Sequence, residues 1–272
     1  MISLLLALVV GTWNGNWFPS GRAEHRAHPD VEAATTQAAA QMLAEGIRAI
    51  DPSGKEDIVL CLNEIRGPRA ASNLIARIGR PDLRLVSISA YRRRDRFDQQ
   101  QDAIATTLPV AEVGKGVWAN HGRETPPRGY AFAAVVLSPA VTAEVYAVHL
   151  KSNYGAKQAS DKALVQAKRT HAIEELMART RTARHIIVTG DMNADPWRRE
   201  FEGEPLFGLF AISRFMNLLE LLPPGARGTH PNRRYGDSAL DHVFVRGFSA
   251  ERPTIIPNDG LSDHYAVFAR VR

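Results

Sequence analysis

The sequence predicts an α/β fold, and three observations predict it. Short, nearly continuous aliphatic and β-branched runs recur along the chain, alanine-rich helical stretches fall between some of them, and six polar signatures stand at the ends of the runs. Unbroken apolar runs, rather than strict alternation, are what strands look like when both of their faces are covered.

Taken in order, the strand-like runs are Leu4–Trp13, Ile58–Leu62, Leu83–Ser89, Ala131–Leu137, Val145–Leu150, His185–Thr189, Leu240–Val245 and Ala266–Val271. A first helix is expected over Val31–Ile50, stopped by Asp51-Pro52-Ser53-Gly54, and a second over Ala70–Ile78, ended by Gly79 and Pro81. The third spans about Ser160–Arg181, with Ala163, Ala167, Ile173, Leu176 and Met177 near helical spacing and basic residues in its last turns. Between the second and third helices lies a strand-rich, turn-rich stretch. This mixture suits an αββα sandwich, two facing sheets with outer helices.

The 272 residues, 44% of them hydrophobic, are ample for an extensive core. No composition break, low-complexity linker or internal repeat divides the chain, so one domain over 1–272 is the economical expectation. Formal net charge is +5, which mildly favours polyanionic partners. Arg92, Arg93, Arg94 and Arg96 cluster beside Tyr91, either as a solvated loop face or as a contact to a phosphate backbone.

Cys61 is the only cysteine, so no intrachain disulfide forms and folding needs no oxidising compartment. Its place in Ile58-Val59-Leu60-Cys61-Leu62 reads as a small core residue. The apolar stretch Ile2–Val10 is far short of the ~20 residues that span a bilayer, and it lacks the basic start and the cleavage site of a signal peptide. It is read as the first buried strand, with no transmembrane segment expected. A cytoplasmic setting is slightly favoured over a secreted or periplasmic one, although a trimmed leader would leave a similar N-terminus. A monomer is expected.

The signatures are Thr12-Trp13-Asn14, Asn63-Glu64, His149-Leu150-Lys151-Ser152-Asn153, Gly190-Asp191-Met192-Asn193, Leu240-Asp241-His242 and Ser262-Asp263-His264. A fold that brings these ends together assembles an acidic, histidine-bearing pocket. Hydrolysis of a phosphate ester needs such a pocket, because charge must be neutralised, a water oriented and a poor leaving group helped away. The order of the six resembles that of the endonuclease/exonuclease/phosphatase superfamily, which includes DNase I, exonuclease III, inositol polyphosphate 5-phosphatases and neutral sphingomyelinases. The likeness runs from about Leu4 to Val271. It implies a DNase I-like four-layer αββα sandwich whose two facing sheets are mixed and mostly antiparallel.

Glu64 closes a strand where the chain turns outward, and its oxygens suit a hard cation, Mg²⁺ or Mn²⁺. The resemblance makes it the principal metal ligand, although Asn63 stands where the family usually has Gln. Asn14 is either a hydrogen-bond partner of a catalytic carboxylate or a metal ligand through its carbonyl. Asp191 can activate water while Asn193 grips a phosphate oxygen. His149 can protonate the leaving oxygen or stabilise the pentavalent phosphate. By resemblance, His264 is the imidazole nearest the scissile phosphate, Asp241 orients it, and Asp263 supports the metal. Lys151, Asn153, Arg128 and His230 are candidate substrate contacts; Arg128-Gly129 could equally be a turn with a salt bridge. His242 reads as structural, and His25, His28, His121, His171 and His185 as surface or packing residues. No Cys/His zinc spacing, Walker loop or dinucleotide fingerprint occurs.

These readings converge on a Mg²⁺- or Mn²⁺-dependent phosphoesterase, with a DNA nuclease favoured. A phosphatase or phosphodiesterase on an inositol phosphate, sphingolipid or small nucleotide is the nearest rival, and a non-catalytic module that keeps the fold is the remote one.

Overall fold

Period-2 alternation along each strand decides the layering. The computed structural model describes residues 7–20, 29–93, 96–97, 99–234 and 236–272. Residues Leu8–Phe18 form β1, and helix α1, Pro29–Ile50, carries the chain back to β2, Asp57–Ile65, which pairs parallel to β1. Helix α2 (Pro68–Ala76) leads to β3 (Arg84–Ile88), a small hairpin of β4 (Arg92–Arg93) and β5 (Arg96–Phe97), and then β6 (Gln101–Thr106). Strands β7 (Val110–Val117), β8 (Gly129–Ser138) and β9 (Val141–His149) precede α3 (Ala159–Arg179), whose crossover delivers β10 (His185–Asp191) parallel to β9. Helix α4 (Pro205–Ile212) and strands β11 (Met216–Asn217), β12 (Asp241–Arg246), β13 (Thr254–Ile256) and β14 (Ala266–Val271) complete the order.

Two six-stranded sheets result, in the orders β13-β14-β1-β2-β6-β3 and β11-β12-β10-β9-β8-β7. Each has one parallel pair at its centre with antiparallel neighbours outward, so both are mixed and mostly antiparallel. Leu8, Val10, Val59, Cys61 and Ile104 meet Ala133, Val145, Ile187 and Val243 in a core between the sheets. The alternate residues Val9, Leu60 and Phe268 face Leu43 and Ile47 of α1, while Tyr146, Val148, Ile186 and Phe244 face Ile173 and Leu176 of α3 and Phe210 of α4. The expected αββα sandwich is therefore the observed one, and Cys61 lies in its inter-sheet layer.

Most boundaries move by one to four residues from expectation. Strand β1 begins at Leu8, residues 4–6 lie outside the described residues, and the strand runs on past Trp13 to Phe18. Its regular pairing with β2 breaks after Asn14 and resumes at Phe18↔Ile65, a detour made by Asn16 and Trp17 at φ of 47° and 61°. Strands β6 and β7 escaped the apolar-run reading for opposite reasons. Strand β6 is buried throughout yet opens with Gln101 and Asp102, whereas β7 is a largely exposed edge strand. Two signatures read as run-ends are run-starts, because Asp241 opens β12 and His264 stands just before β14. Both strands run antiparallel to a central neighbour, so their beginnings share its far end. Of the arginine cluster, Arg92 and Arg93 pair with Phe97 and Arg96 in the hairpin, and Arg94 lies outside the described residues, as do His25 and His28. No described helix is long and apolar enough to cross a membrane.

The fully buried ring of Phe268 is packed between two glycines. A Cβ on Gly46 of α1 would stand 2.1 Å from the ring, and one on Gly11 of β1 2.4 Å from it. Helix propensity alone predicts that Gly46→Ala stabilises by about 1 kcal/mol. The packing reverses that sign, since overfilling a tight core costs about 1–3 kcal/mol. We expect Gly46→Ala to lower the urea midpoint and Phe268→Leu in that background to restore part of the loss; a raised midpoint for Gly46→Ala would contradict this account of the helix–sheet contact.

Candidate active site

Followed to one end of the sandwich, the inter-sheet face of every central strand changes from apolar to polar. Leu8 and Val10 lead through Thr12 to Asn14, Val59 and Cys61 to Asn63, Val145 and Ala147 to His149, Ile187 and Thr189 to Asp191, Val245 and Val243 to Asp241, and Ile104 to Asp102. Register sets them level: Asn14 is opposite Asn63 in one sheet, and Asp191 has His149 on one side and Asp241 on the other. All six are buried.

Asp191 is at the centre. One carboxylate oxygen, Oδ2, accepts Asn14 Nδ2 from the facing sheet at 2.9 Å, and the other accepts the backbone N–H of Asn193 at 2.8 Å. Asn14 Oδ1 accepts the N–H of Asn16, so of the two roles open to Asn14 the side chain makes the hydrogen bond to the carboxylate. Asn193, at φ 50°, turns its amide to the carbonyl of Leu150 at 3.1 Å. Burial raises the proton affinity of Asp191, with His264 opposing that rise.

Asn63 ties the two sheets together. Its Nδ2 donates to Asp102 Oδ1 at 2.7 Å and to Val148 O at 3.1 Å, and its Oδ1 accepts the N–H of Asp191 at 3.2 Å. This crossing explains the glycine of Gly190-Asp191-Met192-Asn193. Gly190 has φ 138°, and a Cβ there would stand 2.0 Å from Val148 O and 2.8 Å from Asn63 Oδ1. Asp102 is wholly buried, and burial holds its carboxyl well above the usual carboxylate range.

Glu64 stands within the register break at φ 56°, its Oε2 accepting the N–H of Trp17 at 3.2 Å. Burial raises its proton affinity, with Arg128 the main counterweight. His149 Nε2 lies between carboxylates, 3.6 Å from Glu64 Oε1 and 3.4 Å from Asp191 Oδ2. Burial, and then the positive charge of Arg128, pushes this imidazole well below the ordinary histidine range, so it is neutral near pH 7. His264 is the opposite case. Burial would lower it, but Asp241, bonded to its Nδ1 at 2.7 Å, and Asp191, 3.8 Å from its Nε2, hold it up at about 10. Asp241 Oδ2 is steadied by the Thr229 hydroxyl at 2.8 Å.

The candidate substrate contacts line the rim. Arg128, at φ 66°, donates to Leu150 O and to Gln100 Oε1. Lys151 Nζ donates to Ser152 O, and Asn153 Oδ1 accepts from Arg169. Arg169 of α3 is buried, makes a two-pronged contact with Glu204 and also donates to Lys151 O, which clamps the loop after β9. His230 Nε2 and His264 Nε2 each lie 3.9 Å from a carboxylate oxygen of Asp263, whose side chain is 54% exposed. His242 is buried and bonded to backbone carbonyls and Asn217, a structural role.

Sequence reasoning missed Asp102, Arg169 and Glu204. Arg169 carried a signal, because with Val165, Ala172, Ile173 and Leu176 it falls in the buried stripe of α3. Asp102 carried none until β6 was recognised.

The donor set fits a hard divalent cation. Glu64 offers carboxylate oxygens amid several other carboxylates, and the raised proton affinities of Glu64, Asp191 and Asp102 show that burial has left negative charge there undercompensated. Among the described residues, the close ligand groups are Asp191-Asp241-His264 and His230-Asp263-His264. Glu64 belongs to neither.

Several solved structures share this architecture. An endonuclease/exonuclease/phosphatase from Beutenbergia cavernae aligns with a TM-score of 0.67 and 17% identity, covering 98% of this chain and 72% of that one. D. rerio TDP2 complexed with a single-strand DNA product aligns at 0.64 and 16%, covering 98% and 99%, and sphingomyelinase C from Streptomyces griseocarneus at 0.59 and 16%, covering 97% and 99%. No curated protein matches the sequence. The sequence model of the Endonuclease/Exonuclease/phosphatase family matches residues 11–264, which takes in every signature from Asn14 to His264, and the chain belongs to that family.

Proposed function

We propose that this protein is a Mg²⁺- or Mn²⁺-dependent phosphoesterase that hydrolyses phosphodiester bonds, with DNA as its substrate, and that it acts as a monomer. The observation that carries the proposal is the setting of Asp191. Its carboxylate is fixed by Asn14 and Asn193, and the Nε2 atoms of His149 and His264 lie within 4 Å of one oxygen. Glu64 is the residue that would hold the cation, with Asn14 aligning the Asp191 carboxylate beside it. A cation there neutralises charge developing on the phosphate oxygens.

The chain's own groups supply the rest. Asp191, a carboxylate of raised proton affinity, orients a water and takes its proton; a base works best when its pKa is near the working pH. Asn193 steadies a phosphate oxygen. The protonated His264 donates from Nε2 towards the pentavalent phosphate, and Asp241 keeps its proton in place. Of the two roles weighed for His149, the neutral state suits hydrogen-bond donation to that phosphate better than proton transfer. Arg128, Lys151, Asn153 and His230 stand at the rim as contacts to the remainder of the substrate.

Support for a long anionic substrate comes from a cavity of about 640 Å³ that begins two residues beyond Glu64. Arg66, Arg69 and Arg77 line it. Arg66 is engaged with Glu32 and Ser20, whereas Arg69 and Arg77 are exposed, Arg77 also donating to Asn73 O. TDP2, a structural neighbour, was crystallised with a DNA product. The sphingomyelinase neighbour keeps a lipid phosphodiester as the alternative to be tested.

Three results are expected. With Mg²⁺ or Mn²⁺ the wild type hydrolyses bis-p-nitrophenyl phosphate, and Asp191→Ala reduces the rate by about 10²–10⁴-fold; equal inertness of both proteins with either cation defeats the enzyme reading. In metal-free protein, imidazole NMR should find His264 protonated through pH 8, and Asp241→Asn should bring its titration down toward the ordinary histidine range. Since the folded value lies above the unfolded one of about 6.5, this imidazolium contributes stability that is complete below pH 6.5 and lost as pH rises towards 10. A wild-type titration near 6.5 would rule out the Asp241 partnership. Finally, DNA binding should weaken steeply with salt while hydrolysis of a small ester changes little. Replacing Arg69 and Arg77 by alanine should flatten the salt slope by about 1 per lost phosphate contact. Equal slopes, or preference for sphingomyelin in a substrate panel, would favour the small-ester or lipid alternative.

A further inference from the structure

We propose that His230, Asp263 and His264 form a binding site for a borderline transition-metal cation such as Zn²⁺, distinct from the hard-cation position at Glu64. The three side chains come from the loop before β12 and the turn before β14, and their ligand atoms all lie within 4.8 Å of one another. Asp263 presents one oxygen to each imidazole, Oδ2 to His230 Nε2 and Oδ1 to His264 Nε2, both at 3.9 Å. Zinc–nitrogen and zinc–oxygen bonds of about 2.0–2.2 Å place tetrahedral ligand atoms about 3.4 Å apart. The two separations from Asp263 must therefore close by about half an ångström, and the half-exposed Asp263 side chain can supply that movement.

Ring geometry supports convergence on one ion. A metal must lie near the plane of each imidazole that ligates it. The planes of His230 and His264 meet at 65° with centroids 4.8 Å apart, so in-plane lone pairs can point at a common ion. The other histidine pair shows the contrast. His121 and His171 are stacked 4.1 Å apart at 5°, two nearly parallel planes that no single ion can occupy, and their nitrogens are turned to Glu175, Glu124 and Glu174.

The surroundings fix the tautomer. His264 Nδ1 is bonded to Asp241 Oδ2, which leaves Nε2 as the metal-binding end, and Thr229 holds Asp241 in turn. A carboxylate behind a ligating imidazole is the usual support of a zinc histidine. Two nitrogens and one carboxylate oxygen match zinc and are a poor set for Mg²⁺, which prefers oxygen ligands and retains its waters. Binding displaces the proton carried on His264 Nε2, which passes to solvent. With Nε2 occupied, His264 cannot donate to a phosphate, so on the proposed reaction the ion acts as an inhibitor.

Cobalt(II) titration of the metal-free protein, with Mg²⁺ in excess, tests the site. We expect one equivalent of Co²⁺ to give the intense visible bands of a four- or five-coordinate centre, bleached by Zn²⁺. His230→Gln and Asp263→Asn should each weaken binding by about tenfold or more, and Glu64→Gln should change it by less than about twofold. The His121→Gln/His171→Gln double variant should bind as the wild type does. Both ligand variants are at partly exposed positions, and thermal melts identify any that fails to fold, in which case the other decides. Weak octahedral bands, unchanged affinity in His230→Gln, or loss of binding in Glu64→Gln or in the His121/His171 variant would overturn the proposal. Cobalt binding through these residues in a protein that hydrolyses no phosphate ester leaves the site standing and removes the phosphoesterase reading; hydrolysis without such binding does the reverse.

Discussion

The side-chain amide of Asn63 is the contact on which the rest of the site depends. It donates within its own sheet to Asp102, donates across the gap to Val148, and accepts the N–H of Asp191 from the same facing sheet. Three of its four hydrogen-bonding positions are thereby used in a fully buried place, where each unpaired polar group would cost about 1–3 kcal/mol. The separation and register of the two sheets at this end are thus set by a rigid amide. On that spacing, Asn14 of one sheet reaches Asp191 of the other, and His149 falls between Glu64 and Asp191.

The same end of the sandwich concentrates what the fold elsewhere avoids. Glu64, Asp102, Asp191 and Asp241 are gathered where water is scarce, with Arg128 and His264 the main positive charges facing them. Five of the seven described non-glycine residues at positive φ, namely Asn16, Trp17, Glu64, Arg128 and Asn193, are also here. Backbone of this kind costs on the order of 1 kcal/mol or more per residue and persists only where the surroundings overdetermine it. Local strain, buried charge and a polar break in an apolar core coincide, the pattern expected where a protein sacrifices stability for a site.

Much of this was legible in the sequence, and the limits have physical reasons. Buried strands announce themselves by composition, so the four strands of the central pairs were visible, though not their parallel pairing, and with them Glu64, His149 and Asp191 at the strand ends. A strand such as β6, whose inward face turns polar at Asp102, carries no such mark. Side-chain roles were harder than positions. Nothing in the sequence distinguishes an Asn14 that orients a carboxylate from one that binds metal; the choice depends on Asp191, 177 residues away, and on the Asn16 amide beside it. Nor does any spacing join His230 to Asp263, because the loops that bring them together fold over different strands.

The two site histidines show how one side chain is made to serve twice. His149 ends a central strand and is enclosed by sheet, so desolvation dominates and the ring stays neutral even with carboxylates 3.4 and 3.6 Å away. His264 sits in a turn, 3.8 Å from Asp191 and with Asp241 bonded directly to Nδ1, and the charges of these two carboxylates together with that hydrogen bond reverse the sign. A neutral and a cationic imidazole are thereby placed within 4 Å of a single carboxylate, Asp191. Environments can drive like groups apart in proton affinity, and the difference here follows from position in the fold, since His149 ends a strand inside the sheet whereas His264 reaches the buried Asp241 from the turn before β14.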